Sequence, residues 1–153
     1  MENELVSHSA LKQALLDKSW AAKYHCTCYS GDSKPSYFSS KAVYRPDAVW
    51  VTRNGVRAIV EIPMTEDERA VVGEFFLACG IPNARSFVAM VNEGEDGFLK
   101  PLLLHSWKQL MELTDGYVHP SNCPMYKPKV ISIPKRLGDN RKALQRYLDR
   151  AWT

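Results

Sequence analysis

No stretch of this chain approaches the ~18 consecutive apolar residues that a membrane-spanning helix needs, although 45% of its 153 residues are hydrophobic. A membrane partner is therefore not expected. The amino terminus, Met1-Glu2-Asn3-Glu4, is acidic where a secretory signal is basic, so the cytoplasm is the expected compartment. Cysteine is scarce: four residues, at 26, 28, 79 and 123, are expected as free thiols rather than as a disulfide framework. Internal repeats and low-complexity tracts are absent. So are a phosphate-cradling glycine loop, a serine or cysteine nucleophile signature and a deaminase zinc motif, which removes several enzyme classes at once. What is left has the size and composition of one domain with a single sheet-based core.

The informative segment is Tyr44 to Ile62. Ala48-Val49-Trp50-Val51 and Val56-Arg57-Ala58-Ile59-Val60 are apolar runs of strand length, separated by Arg53-Asn54-Gly55, and Asn-Gly between such runs signals a hairpin. Asp47 opens the first strand and Glu61 closes the second, so both acids fall at the open end of the hairpin. Two turns are compatible with the residues. A two-residue turn sets Ala48 opposite Glu61 and sends Asp47 to the other face. A three-residue Arg53-Asn54-Gly55 loop, with Gly55 left-handed, pairs Thr52 with Val56 and brings Asp47 directly across from Glu61. In that second register the two β-carbons lie about 5 Å apart. Ionised carboxylates at that range repel unless a cation lies between them, and a hard divalent ion suits oxygen ligands. The plain structural alternative is a turn-ending Asp47 and a solvated Glu61.

The order of elements around these acids resembles the PD-(D/E)XK nuclease superfamily, whose restriction-endonuclease-like core runs helix, three strands, helix, strand. A helix in 7–24, a strand near 25–30, the hairpin 44–62, a helix in 65–79 and a strand at 86–92 follow the same order over roughly the first 92 residues. The resemblance implies an α/β fold of three layers, with a mixed central sheet flanked by helices. Pro46-Asp47 matches the PD element and Glu61 the second acid. It further implies Mg²⁺ or Mn²⁺ held by Asp47, Glu61 and the carbonyl of Ile62, and phosphodiester cleavage in nucleic acid, DNA ahead of RNA, with a homodimer as one common arrangement. Where the family carries lysine, this chain carries Pro63. Arg69, in the first turns of the next helix, is the replacement cation considered first, to steady charge on the phosphate, with Lys41 and Arg45 behind it. Some relatives add a histidine ligand from the helical part, and His8 and His25 lie in that region. Loss of the lysine leaves a non-catalytic nucleic-acid- or protein-binding module on the same fold as the alternative.

Charge divides the chain. Residues 127–153 hold eight lysines and arginines against Asp139 and Asp149, a net of +6, whereas the first 126 residues carry −3. Such a tail suits phosphate backbones, and Lys135, Arg136, Arg141, Lys142 and Arg146 are the candidate contacts. The other reading is the solvated face of a docked helix. The chain is expected as one domain, with a core over 1–92 and a C-terminal extension over 93–153 ending in a basic helix from Asp139 or Asn140. In that helix Leu144, Tyr147, Leu148 and Ala151 share a face, and Trp152 anchors the end.

The remaining features are ordinary. Thr65 and Glu68 form a capping box, Gly80 and Pro82 stop that helix, and Val71, Val72, Phe75, Phe76 and Cys79 form its apolar stripe, with Gly73 allowing close approach to the sheet. Phe98 to Leu104 reads as a strand and Ser106 to Leu113 as a short helix. Lys34, Tyr37 and Lys41, in the loop 31–41, are marginal nucleic-acid contacts. His25, Cys26, Cys28, His119 and Cys123 could supply zinc ligands, but Cys26-x-Cys28 is too short for a zinc knuckle, so zinc is not expected.

Overall fold

Five strands form one mixed sheet in the order β1-β2-β3-β4-β5. They are β1 (Cys26–Ser30), β2 (Ala48–Thr52), β3 (Arg57–Glu61), β4 (Ala84–Asn92) and β5 (Lys129–Ile133). The pairs β1·β2 and β2·β3 are antiparallel, and β3, β4 and β5 are mutually parallel. The computed structural model describes residues 5–30, 44–64, 67–81, 83–114 and 126–152, without the side chains of Thr114 and Trp152. Expectations attached to Lys34, Tyr37, Lys41, Thr65, Pro82, His119, Cys123 and the side chain of Trp152 lie outside the described residues.

Because successive strand residues face opposite sides, the near-continuous apolar runs of β2, β3 and β4 demand cover on both faces. On one side α1 (His8–Leu15), α2 (Lys18–Ala22) and α5 (Arg141–Trp152) close over Trp50, Val60 and Met90 with Leu11, Leu15, Trp20, Leu144 and Leu148. On the other, α3 (Glu68–Cys79) and α4 (Leu99–Thr114) close over Val49, Ile59 and Phe87 with Val71, Phe75, Leu99 and Leu103. The result is an α/β fold of three layers, helix, sheet and helix. Phe75 and Phe87 meet edge to face at 5.5 Å, fixing α3 on the sheet. On the opposite face Trp20 donates from Nε1 to Asp149 at 2.8 Å and the Tyr24 hydroxyl donates to the same carboxylate, tying α2 to α5.

Several expectations need correction. The helix expected over 7–24 is two helices, since Asp17 leaves helical geometry and accepts from the Trp20 N–H at 3.1 Å, starting α2 afresh. The cap of α3 is Asp67, whose Oδ1 accepts from the Ala70 N–H at 2.9 Å, so Glu68 is the first helical residue rather than half of a capping box. Gly73 is exposed, and a Cβ there would meet nothing within 4 Å, so it serves no close approach to the sheet. Phe98 to Leu104 is not a strand. Pro101 sits in the first turn of α4, where its missing N–H costs nothing, and Leu99, Leu103, Ser106, Trp107, Leu110 and Met111 make a helical stripe.

The described part of 93–153 packs onto the sheet. Strand β5 pairs with β4, and Leu144 and Leu148 are fully buried. Asn140 caps α5, its Oδ1 accepting from the Ala143 N–H at 3.0 Å. At the carboxyl edge of the parallel strands, buried Asn92 holds the incoming chain. Its Oδ1 accepts from the Val6 N–H at 3.0 Å and its Nδ2 donates to the Val6 carbonyl at 3.1 Å. That clamp delivers His8 to the same edge.

Candidate functional site

The hairpin takes the three-residue loop. Gly55 sits at φ 76, its N–H donates to the Thr52 carbonyl at 3.0 Å, and Thr52 N–H donates to the Val56 carbonyl at 3.0 Å. The Thr52 hydroxyl also accepts from the Val56 N–H at 3.2 Å. Pairing then runs Val51 with Arg57, Val49 with Ile59 and Ala48 with Val60, so the next rung places Asp47 opposite Glu61. Both point toward α3, as Val49 and Ile59 do two residues away.

The two acids are locked together through backbone and side chains. Asp47 N–H donates to Glu61 Oε1 at 3.2 Å, and Ile62 N–H donates to Asp47 Oδ2 at 2.8 Å. Tyr44 donates its hydroxyl to Glu61 Oε2 at 2.5 Å. The imidazole of His8 lies 3.0 Å from Asp47 Oδ1 through Nε2, a contact that becomes an ion pair when both ring nitrogens carry protons. A third carboxyl group arrives from α3, where the Glu74 side chain hydrogen-bonds Glu61. Two carboxyl groups, Asp47 and Glu74, therefore converge on Glu61, which is only 3% exposed.

Burial is the main reason the Glu61 carboxyl is pushed up to about 7, with the charge and hydrogen bond of Asp47 adding to it. The hydrogen bonds from Glu74 and Tyr44 act in the opposite direction. A buried carboxyl group beside a like charge resists ionisation, so Glu61 holds its proton nearly to neutrality. Burial beside Glu61 also raises the Tyr44 phenol, which stays a donor throughout the ordinary pH range.

The donor set is chemically suited to a hard cation. Each oxygen of Asp47 keeps a second lone pair, as does one of the two Glu61 oxygens. Among the described residues no group of three or more His, Cys, Asp or Glu is arranged to hold a metal ion. Magnesium, however, commonly uses one or two carboxylates and completes its shell with water and substrate phosphate. The pair fits that mode of binding.

The other expected residues fall in different places. Ile62 is buried in the opposite layer, and its carbonyl accepts from the Met64 N–H at 2.9 Å. Pro63 is buried. Arg69 is exposed and lies roughly 140° around α3 from Glu74; Arg45 is exposed as well. His25 stands before Cys26, which pairs with Thr52 at the turn end of the hairpin, so it is at the far end of the sheet from Asp47. Within the basic segment Lys135 is half-buried and its backbone N–H donates to Glu93 at 2.9 Å. Arg141 turns toward α1, 3.0 Å from Gln13 and 3.8 Å from Asp17. Arg136, Lys142 and Arg146 are exposed.

Tyr44 and Glu74 escaped the sequence reading. Glu74 had a signal: Val71, Glu74, Phe75 and Ala78 follow the i, i+3, i+4, i+7 spacing of one helix face, and an acid on an otherwise apolar stripe needs a partner. Tyr44 had none beyond its nearness to Asp47.

Comparisons of the chain with protein-family models, with curated proteins and with solved structures find no match.

Proposed function

We propose that this protein is a divalent-cation-dependent nucleic-acid phosphodiesterase of the PD-(D/E)XK type, with Asp47 and Glu61 as its cation ligands. The observation that carries the reading is the direct opposition of these two acids on one sheet face, with a third carboxyl group closing on Glu61. Structural acids at a strand end have no need of that arrangement, which costs stability through mutual repulsion. The site also lies at the carboxyl ends of parallel strands, a usual place for ligands in α/β sheets.

A bound Mg²⁺ or Mn²⁺ would offset the carboxylate charge, polarise a phosphate oxygen and acidify a water molecule. The chain's own groups hold the geometry. His8 and the Ile62 N–H orient Asp47, while Tyr44 and the Asp47 N–H orient Glu61. The Glu61 carboxyl, pushed up to about 7, can accept a proton from an attacking water, work the family gives in part to lysine.

Pro63 favours a second reading, in which the fold binds nucleic acid or a protein without cutting. Incubation with single-stranded, double-stranded and branched DNA and with RNA, in Mn²⁺ or in EDTA, separates the two. The phosphodiesterase reading expects cleavage that needs the metal and disappears in Asp47→Ala. Cleavage that persists in that variant would show the site to be elsewhere, and binding without cleavage selects the second reading.

A further inference from the structure

Helix α3 is apolar on both sides. Its inward residues Val71, Phe75, Ala78 and Cys79 are buried against the sheet. At about 100° per residue, Arg69, Ala70, Gly73, Phe76, Leu77 and Gly80 fall within an outward arc of roughly 120° centred on Gly73, and all six are exposed. Phe76 and Leu77 leave 46% and 49% of their surfaces in water. Arg69 is the only charged residue among them. The other long helices differ: α4 turns Lys100, Lys108 and Glu112 to solvent, and α5 turns Arg141, Lys142 and Arg146. A helix that is hydrophobic all round belongs inside a protein body, so the outward face of α3 calls for a second cover. We propose that this cover is a second copy of the chain, its α3 running antiparallel to the first about a two-fold axis at Gly73. The proposal stands apart from the reading of the carboxylate site.

The face is complementary to itself. In a two-fold antiparallel pair, residues three or four places beyond the axis lie across from those three or four places before it in the copy, and each flank of the arc meets the same flank. Leu77 then meets Ala70 of the copy, a bulge against a hollow. On the other flank Phe76 meets Arg69 of the copy, and the Phe76 ring is steadied by the Phe75 ring 5.6 Å away. Gly73 meets Gly73 at the axis, where a Cβ would touch nothing within 4 Å. With no side chain on either helix at that point, the axes can approach to roughly 8 Å, the short end of the usual range.

Charge selects this occupant over an unrelated apolar partner. A helical side chain leans toward its own amino terminus, so in the antiparallel pair the copy's Arg69 leans past Phe76 toward Gly80. That end carries the negative pole of the helix dipole, and no basic residue stands in the last turn of α3. Gly80 has no side chain to shield the carbonyl groups there. The Leu77 and Ala78 carbonyls accept from the Gly80 and Ile81 N–H groups at 3.1 and 3.0 Å, and each keeps a second lone pair. The guanidinium therefore finds both an aromatic face and carbonyl oxygens, twice over by symmetry.

A single helix pair buries less than the about 1,200 Å² of the smallest standard interfaces, so a dimer with a Kd on the order of 10–100 μM is expected. Sedimentation velocity of the full chain across that range, under reducing conditions, is the test. Phe76→Glu and Arg69→Glu should each weaken association at least about tenfold, the first by burying a charge and the second by setting an acid against the carboxyl end of the copy's helix. Gly73→Leu separates the two-fold contact from general stickiness. It adds apolar surface, so a merely adhesive face would associate as well or better, whereas two leucines meeting at the axis should cost at least about tenfold. Leucine is favoured over glycine in a helix interior, so this chain keeps its fold, and circular dichroism and the urea midpoint should match or exceed wild type. Lys142→Glu, exposed on α5 in the opposite layer, should change nothing. A wild type that stays monomeric throughout, a Gly73→Leu or Arg69→Glu chain that dimerises as strongly as wild type, or an equal loss in Lys142→Glu would overturn the proposal.

Discussion

Replacing Glu61 with glutamine should change how stability depends on pH, and the size of the change follows from burial. In the native chain the Glu61 carboxyl holds its proton up to about pH 7, whereas its ordinary value is 4.5. The folded state thus binds this proton more tightly than the unfolded state. Its stabilising contribution is complete below about pH 4.5, declines as pH rises toward 7, and is gone above that. Each unit between the two values corresponds to 1.36 kcal/mol, so the decline amounts to about 3 kcal/mol. At 3% exposure there is little solvent screening to reduce it. Glutamine keeps the shape and an acceptor for Tyr44 or for the Asp47 N–H, but has no proton to lose. Urea denaturation at pH 5, 6, 7 and 8 reads the difference: with a slope of about 1–3 kcal/mol/M, wild type should lose roughly 1–3 M of midpoint relative to Glu61→Gln across that range. Asp17 and Asp149, whose carboxyls are held below their ordinary value by hydrogen bonds, lose their contribution only as pH falls below 4, outside this window. Parallel pH profiles for the two proteins would refute a buried, proton-holding Glu61.

Other outcomes can be checked with the same protein. Tyr44→Phe removes the donor on Glu61 Oε2, so at pH 8 it should cost about 2 kcal/mol and move the Glu61 titration upward, seen as a larger stability loss between pH 5 and 8; an unchanged profile would disconnect Tyr44 from Glu61. Gly55→Ala meets no atom within 4 Å but must adopt φ 76, so about 1 kcal/mol should be lost with the shape of the pH profile retained. Phe75→Ala, at the contact with Phe87, should cost about 3–5 kcal/mol; a cost below 1 kcal/mol in urea unfolding would deny that α3 is fixed by that packing.

Much of the layer order was legible because it rests on local signals. Apolar runs of strand length, the Asn54-Gly55 turn and the helix between β3 and β4 each follow from residues near one another in sequence. The site was legible only as a pair of alternatives, since one residue of register decides whether Asp47 meets Glu61. The Thr52 hydroxyl settles it by accepting from the Val56 N–H, with Gly55 taking the left-handed place that the wider loop requires. Glu74 stood on the apolar face of α3, but its partner could not be read, because that depends on how α3 sits on the sheet, which Phe75 and Phe87 fix from distant positions. The Leu99–Thr114 helix was misread in its first half, where Phe98 to Leu104 was taken for a strand although Pro101 suits a first helical turn. Asp17, inside an apolar periodicity, was passed over as a cap.

The central claim is that Asp47 and Glu61 make a cation site, and isothermal titration of Mn²⁺ into the metal-free protein tests it most directly. One Mn²⁺ should bind per chain at pH 8, more weakly at pH 6 because Glu61 then holds its proton, and neither Asp47→Asn nor Glu61→Gln should retain it. No binding by the wild type, or the same binding in both variants, would contradict the account.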